Sequence, residues 1–98
     1  MATEQQQRSN AVADITRAGR ATEFLNNPLY LEAITSIRAA MFEQFQDSKF
    51  KDEEQRHELW QRMQLLKQFQ GKFESIVKQG EKGRKTLTLL DRAKQLIS

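Results

Sequence analysis

Hydrophobic positions recur every three or four residues along most of the chain, which is the spacing of amphipathic helices. The first ten residues lack this period and include a run of Gln, so they predict a flexible tail over residues 1–10, or a helix that forms only in an assembly. A stripe of apolar and small residues then predicts a helix over residues 11–25: Val12, Ile15, Ala18, Thr22 and Leu25. Gly19 weakens this helix by about 1 kcal/mol relative to alanine.

The segment Asn26-Asn27-Pro28 is the clearest boundary in the chain. Asn is a preferred N-cap, and proline is favoured at the first helical position because its missing N–H would be unsatisfied there anyway. We therefore predict a helix that begins at Pro28 and ends near Asp47 and Ser48. Its apolar stripe has steps of three or four residues: Tyr30, Ile34, Ile37, Met41 and Phe45.

A third helix is predicted from Glu53 to Gln79. Asp52 and Gln55 have the spacing of a capping box, and Glu53 and Glu54 suit the positive end of the helix dipole. Gly80 is a candidate C-cap. The apolar stripe of this helix is long: Leu59, Met63, Leu66, Phe69 or Gln70, Phe73, and Ile76 or Val77.

The short connector at residues 49–51 predicts that the second and third helices form an antiparallel hairpin over residues 28–79. The two helices would span about 28 Å and about 40 Å, so the longer one has an overhang. The helix at 11–25, the C-terminal helix or another subunit must cover the apolar residues of this overhang. We predict an oligomer interface formed by five residues: Trp60, Phe69, Phe73, Ile76 and Val77.

The segment after Gly80 predicts a basic hinge over residues 80–85 and an amphipathic helix over residues 86–97. We expect that helix to dock a partner through Leu87, Leu90 and Ile97. The predicted fold class is therefore all-α: an antiparallel helical hairpin with flanking N- and C-terminal helices, in a single domain over residues 11–98, assembled into an oligomer.

Charge is unevenly distributed between the two halves. Residues 1–48 carry four basic and six acidic side chains, whereas residues 49–98 carry twelve and seven, so the halves have net charges of −2 and +5. Such a basic segment suits DNA phosphate or an acidic partner, although cations also complement the dipole at a solvated helix end. The candidate nucleic-acid-binding residues are Lys78, Lys82, Arg84, Lys85, Arg92 and Lys94.

Composition argues against catalysis and against a bound cofactor. The 98 residues include no cysteine and one histidine, so there is no thiolate site and no histidine-rich metal centre. Glu54 and His57 have the Glu-x-x-His spacing of bundle metal sites, but they lie off the stripe through Leu59 and Met63. A domain of this size without disulfides or metal commonly gains burial by oligomerisation.

Several phrases resemble short helical proteins of tailed bacteriophages over residues 25–80: Asn26-Asn27-Pro28-Leu29, Glu32-Ala33-Ile34, Glu54-Gln55-Arg56, Leu59-Trp60 and Leu65-Leu66. Their arrangement is similar to the oligomerisation hairpin of phage small terminase subunits. The resemblance implies a ring that binds viral double-stranded DNA and docks the large terminase subunit. The 25 or so residues before Pro28 are too few for the helix-turn-helix domain of many such subunits, so we expect contact with the DNA backbone.

Two other functions fit the same residues. One is a structural virion protein, such as a scaffold, minor capsid or neck component, whose basic residues do not touch DNA. The other is a small regulator that binds one acidic host protein through residues 86–97. No apolar run approaches the roughly 20 residues that cross a bilayer, so we expect no membrane partner and a location in the host cytoplasm or the virion.

Overall fold

A computed structural model describes residues 3–48 and 52–97, the last of these by its backbone alone. These two ranges contain three helices and no strand, which confirms the all-α class: α1 over Glu4–Leu25, α2 over Pro28–Asp47 and α3 over Glu53–Ile97. The predicted connector Lys49, Phe50 and Lys51 lies outside the described residues.

The ends of the helices follow their capping side chains. The Asn27 side-chain oxygen accepts hydrogen bonds from the backbone N–H groups of Leu29 (2.9 Å) and Tyr30 (3.3 Å), which confirms the predicted start of α2. Asp52 accepts from the N–H of Gln55 at 3.1 Å, and α3 begins at Glu53 as predicted. Both ends were predictable because capping satisfies donors that the helix itself leaves free.

The prediction of a flexible tail over residues 1–10 is wrong for the described part, because α1 already begins at Glu4. Thr3 and Gln6 form a reciprocal capping box: the Thr3 hydroxyl accepts from the Gln6 N–H at 3.1 Å, and the Gln6 side chain accepts from the Thr3 N–H at 3.0 Å. The Thr-x-x-Gln spacing is visible in the sequence, and it outweighs the missing apolar period.

The basic hinge at 80–85 and the separate helix at 86–97 are also wrong, because α3 continues without interruption from Glu53 to Ile97. No glycine in the described ranges has a positive φ, so Gly80 does not act as a left-handed C-cap.

The chain forms two compact units, whereas a single domain was predicted for residues 11–98. The terminal unit comprises Met1–Phe24 with Phe73–Ser98, and the central unit comprises Leu25–Lys72. The terminal unit therefore contains most of α1 and the later part of α3, and the central unit contains α2 and the earlier part of α3.

The terminal unit is held together by small residues in close contact. Its buried apolar side chains are Ala11, Ala18 and Ala21 of α1. A Cβ atom added to Gly80 would overlap the Cβ of Ala18, and one added to Gly83 would lie 2.8 Å from the Ala11 carbonyl oxygen. The predicted stripe of α1 is therefore confirmed at Ala18, which is buried, and at Ile15 and Leu25, which are half-buried. Val12 is exposed, and Ala11 and Ala21 are buried instead, because small side chains fit closest to the glycines of α3.

Two polar pairs flank this contact within the terminal unit. Arg8 donates a hydrogen bond to Asp91 at 2.9 Å, and Gln79 donates to Asp14 at 3.3 Å. Their separations in sequence, 83 and 65 residues, mean that the start of α1 is close to the end of α3. The two helix segments therefore lie side by side in opposite directions.

Candidate interaction surfaces

The central unit has a narrow core. Leu59 of α3 is only 3% exposed, Ile34 of α2 is also buried, and Tyr30, Met41 and Leu66 are half-buried. The predicted stripes are confirmed at these positions, and Gln70 rather than Phe69 continues the stripe of α3 because Gln70 is the half-buried residue of the two.

Polar contacts accompany this core from end to end. Ser48 is buried and donates through its hydroxyl to the Phe45 carbonyl at 2.6 Å, while the Arg56 Nε donates to the Ser48 hydroxyl at 3.2 Å. Near the start of α2, the Gln70 amide donates to the Tyr30 hydroxyl at 3.5 Å. The beginning of α2 thus contacts the end of the central-unit part of α3, and the end of α2 contacts the beginning of α3.

An open apolar groove of about 550 Å³ lies beside this core, and we call it the central groove. Its lining residues are Arg38, Met41, Phe42, Phe45, Met63, Leu66, Lys67 and Gln70. Phe42 is 61% exposed, and Phe45 and Met63 are also exposed. A pair of helices has a single line of mutual contact, so side chains beside that line stay in water unless a further element covers them.

The five residues of the predicted oligomer interface separate into two groups. Phe73 stacks on Phe24 within the terminal unit, with ring centroids 4.7 Å apart, and Ile76 and Val77 are half-buried there. Trp60 and Phe69 are exposed in the central unit, where Trp60 stacks on His57 at 6.0 Å. The helix at 11–25 thus covers the start of the overhang, one of the three possibilities that the sequence left open.

All six predicted DNA-binding cations are exposed, but they do not form one face. Four of them are separated by steps of four, three and seven residues, which places them on one side of α3 at about 100° per residue: Lys78, Lys82, Lys85 and Arg92. We call these four the basic face. Gly80 is two positions from Lys78, about 160° around the helix, so Lys78 points away from α1, whereas Lys82 at the edge of the basic face lines a cleft with Ala11 of α1.

The other two cations lie elsewhere on α3. Lys94 is two positions from Arg92, which turns it about 160° away from the basic face. Arg84 sits at the edge of that face and lines a shallow depression together with Lys85, Thr88, Leu89 and Arg92.

Sequence reasoning missed two cations of α1. Arg17 and Arg20 line a second depression of the terminal unit with Phe24, Phe73 and Ile76. Their only signal in the sequence was a spacing of three residues within a predicted helix. With them, the terminal unit carries nine basic and six acidic side chains, a net charge of +3, whereas the central unit carries seven of each and is neutral.

The predicted docking residues do not form an exposed surface. Leu87 and Leu90 are half-buried, and Leu90 lines a cleft together with Ala11 and Asn10 of α1. Leu87 follows Gly80 by seven positions, so it shares the face of α3 that α1 covers. The side chain of Ile97 lies outside the described residues. The leucines that remain in water are Leu89 and Leu96, the latter 88% exposed.

The described residues offer little for chemistry at a site. Within 3–48 and 52–97 there is no group of three or more side chains suited to hold a metal ion. No helix in this part of the chain combines the length and apolar character needed to cross a bilayer. The resolved pKa shift among these residues belongs to Arg8, whose pKa is raised mainly by its hydrogen bond to Asp91. This shift reflects a surface ion pair.

No protein-family model, curated protein or solved structure matches the chain at a significant level. The fold and surfaces define its class only as an all-helical protein with an open apolar groove on a neutral unit and a basic face on a positively charged unit.

Proposed function

We propose that this protein is a non-catalytic phage DNA-packaging component of the small-terminase type. In this proposal the central unit is an antiparallel helical hairpin that associates with other copies into a ring. The terminal unit contacts the DNA backbone, and the end of α3 docks the large terminase subunit. The observation that carries the proposal is the central groove, whose apolar lining is left in water by a single chain.

Self-association is supported by the charge of the central unit as well as by its groove. Seven basic and seven acidic side chains leave this unit neutral, so copies that meet there do not repel one another through net charge. Burial of apolar area contributes about 25 cal/mol per Å², and the exposed rings of Phe42, Phe45 and Trp60 would supply such area.

DNA contact is assigned to the basic face. Its four cations extend over 14 residues from Lys78 to Arg92, which is about 21 Å of helix. A duplex presents one phosphate charge per about 1.7 Å of its axis, so several cations on one face can each neutralise a phosphate. An oligomer would multiply these contacts and raise the overall affinity.

Docking of the large terminase is assigned to the exposed leucines, Leu89 and Leu96, since α1 covers the face that holds Leu87 and Leu90. A Leu89→Ser substitution would then weaken capture of the large subunit, with the oligomer unchanged.

Native mass spectrometry of the chain alone, then with duplex DNA, tests the assembly. We expect one closed oligomer that persists at micromolar concentration and binds DNA. A monomer under these conditions would contradict the ring. An oligomer that binds no DNA at low salt would contradict the packaging role and point to a structural virion protein.

The phosphate mechanism has its own test in the salt dependence of DNA affinity. Lys78→Gln with Lys85→Gln is compared with Arg17→Gln with Lys94→Gln, which removes the same charge from exposed positions of the terminal unit that lie off the basic face. The logarithm of the DNA association constant falls as the logarithm of the salt concentration rises. We expect the first pair to make this fall less steep by about 2 per chain and the control pair to leave the slope unchanged. Equal effects of both pairs would mean that the basic face is not the contact.

A further inference from the structure

The central groove is basic as well as apolar. Two of its eight lining residues are cations, Arg38 and Lys67, and none is acidic. A third cation, Arg56, lies over the Phe45 ring with its guanidinium carbon 5.0 Å from the ring centroid. An occupant that brought further cations into this groove would be repelled, so the groove favours a partner that is both apolar and acidic.

A second exposed apolar surface lies on another side of the same unit. Ile37 is five positions from Phe42 on α2, about 140° around the axis, and Leu65 is two positions from Met63 on α3, about 160° around. Leu65 is 66% exposed, and Ile37 and Phe69 are exposed as well. These three residues are not among those that line the groove.

Acidic residues continue this second surface along α3. Glu54, Glu58, Leu65 and Phe69 are separated by steps of four, seven and four residues, so they share one side of the helix, and both glutamates are exposed. Lys72, 18 residues after Glu54, lies on this side as well, and Arg62 lies at its edge, so the acidic residues are concentrated toward the start of α3. We call Ile37, Glu54, Glu58, Leu65 and Phe69 the acidic face.

We infer that copies of the central unit associate head to tail, with the acidic face of one copy seated in the central groove of the next. The inference rests on the self-association in the proposed function and specifies its geometry. Two different surfaces on one unit favour a heterologous contact, in which each copy uses its groove toward one neighbour and its acidic face toward the other.

The rival geometry is a symmetric pair in which two grooves face each other. It would bring Arg38, Arg56 and Lys67 of both copies together around one apolar contact, with no acidic residue among the groove lining of either copy. Like charges in such an arrangement oppose association. Seating the acidic face instead places Glu54 and Glu58 near those cations and covers the apolar residues of both surfaces.

Charge reversal tests the inference. The groove variant carries Arg38→Glu with Lys67→Glu, and the face variant carries Glu54→Lys with Glu58→Lys; all four positions are exposed. In either variant alone, the two substituted side chains have the same sign of charge as the pair that they would face on the neighbouring copy. We expect each alone to be at least tenfold weaker in self-association than the wild-type chain, measured by analytical ultracentrifugation.

An equal mixture of the two variants restores opposite charges at every contact, because the groove of each then meets the face of the other. We expect the mixture to recover wild-type association with equal amounts of both chains. Circular dichroism of each variant, and the recovery itself, control for loss of fold. A matched control, Arg17→Glu with Arg20→Glu in the terminal unit, should leave self-association unchanged.

Two results would overturn the inference while self-association stands. One is a face variant that associates as strongly as the wild-type chain, which is the outcome for a groove-to-groove pair. The other is a mixture that stays as weak as its components. A wild-type chain that is itself monomeric would instead remove the proposed function, and the geometry of association with it.

Discussion

The terminal and central units use opposite ways of joining two helix segments. In the terminal unit the most deeply buried positions of the contact are alanines and glycines, so the backbones approach closely, and Phe24 stacks on Phe73 beside them. In the central unit large side chains meet at Leu59 and Ile34, and neighbours such as Phe42 and Phe45 stay in water. The small-residue contact brings two backbones together, whereas the large-residue contact leaves aromatic rings of the single chain exposed.

Charge follows the same division. The terminal unit carries the whole net charge of +3, and the central unit is neutral. The terminal unit is therefore the one suited to a polyanion, and the central unit has no net charge that would oppose contact between copies.

The largest effect on stability is expected in the central core. Leu59→Ala removes the most deeply buried leucine, 3% exposed, and should lower the free energy of unfolding by about 2 to 5 kcal/mol through lost burial and the cavity left behind. Urea denaturation followed by circular dichroism measures it. Leu65→Ala, the same change at an exposed position, should cost far less, and similar losses for the two would show that Leu59 is not the core of this unit.

The terminal contact is tested by adding one methyl group. Gly80→Ala places a Cβ against Ala18 and should destabilise the chain by about 1 to 3 kcal/mol, although alanine is the better helix former. Gly19→Ala is the matched control, since its Cβ would meet nothing within 4 Å, and it should stabilise the chain by up to about 1 kcal/mol. If Gly80→Ala also stabilised the chain, close packing of α1 on α3 would be refuted.

A smaller effect is expected at the cap that begins the central unit. Asn27→Ala removes the acceptor for the N–H groups of Leu29 and Tyr30 and should cost about 1 kcal/mol in thermal or urea denaturation. Asn26→Ala is the neighbouring control and should cost less. Equal losses at the two positions would mean that Asn27 contributes no specific cap.

The smallest effect is expected at the surface pair of the terminal unit. Arg8→Gln removes the contact with Asp91, and because Asp91 is exposed and Arg8 only half-buried the midpoint of thermal unfolding should fall by less than in Asn27→Ala. The difference from wild type should shrink as salt is added. Because the pKa of Arg8 is raised from an already alkaline value, its charge persists throughout the neutral range, and raising the pH there should not reproduce the substitution.

Local chemistry in the sequence was sufficient for the helix boundaries of the central unit and for part of its core. Ile37, Phe45 and Met63 belong to the predicted stripes but are exposed, because the second helix covers only the centre of each stripe. The side chains of Asn27 and Asp52 accept hydrogen bonds from backbone N–H groups two or three residues further on, and Pro28 has no N–H that would need an acceptor. These effects are local, so they do not depend on the rest of the fold. The stripe through Leu59, Leu66 and Gln70 follows from helical periodicity alone. Of the interaction surfaces, the exposed cations of α3 were predictable because charged side chains remain in water.

Only the tertiary structure decided the role of Gly80 and Gly83 and, with it, the partner of the later part of α3. A glycine in a helical sequence indicates a C-cap by its local properties, but here its missing side chain lets α1 approach, and that contact outweighs a propensity cost of about 1 kcal/mol. The same contact buries Ala11, Ala18 and Ala21 of α1 and leaves Val12 exposed. It also covers Leu90 of α3, while most of the basic face remains exposed on another side of that helix. The packing between two helices depends on the side chains of both helices. The periodicity of one sequence segment shows only which face of that helix is apolar, and it does not show which helix packs against that face.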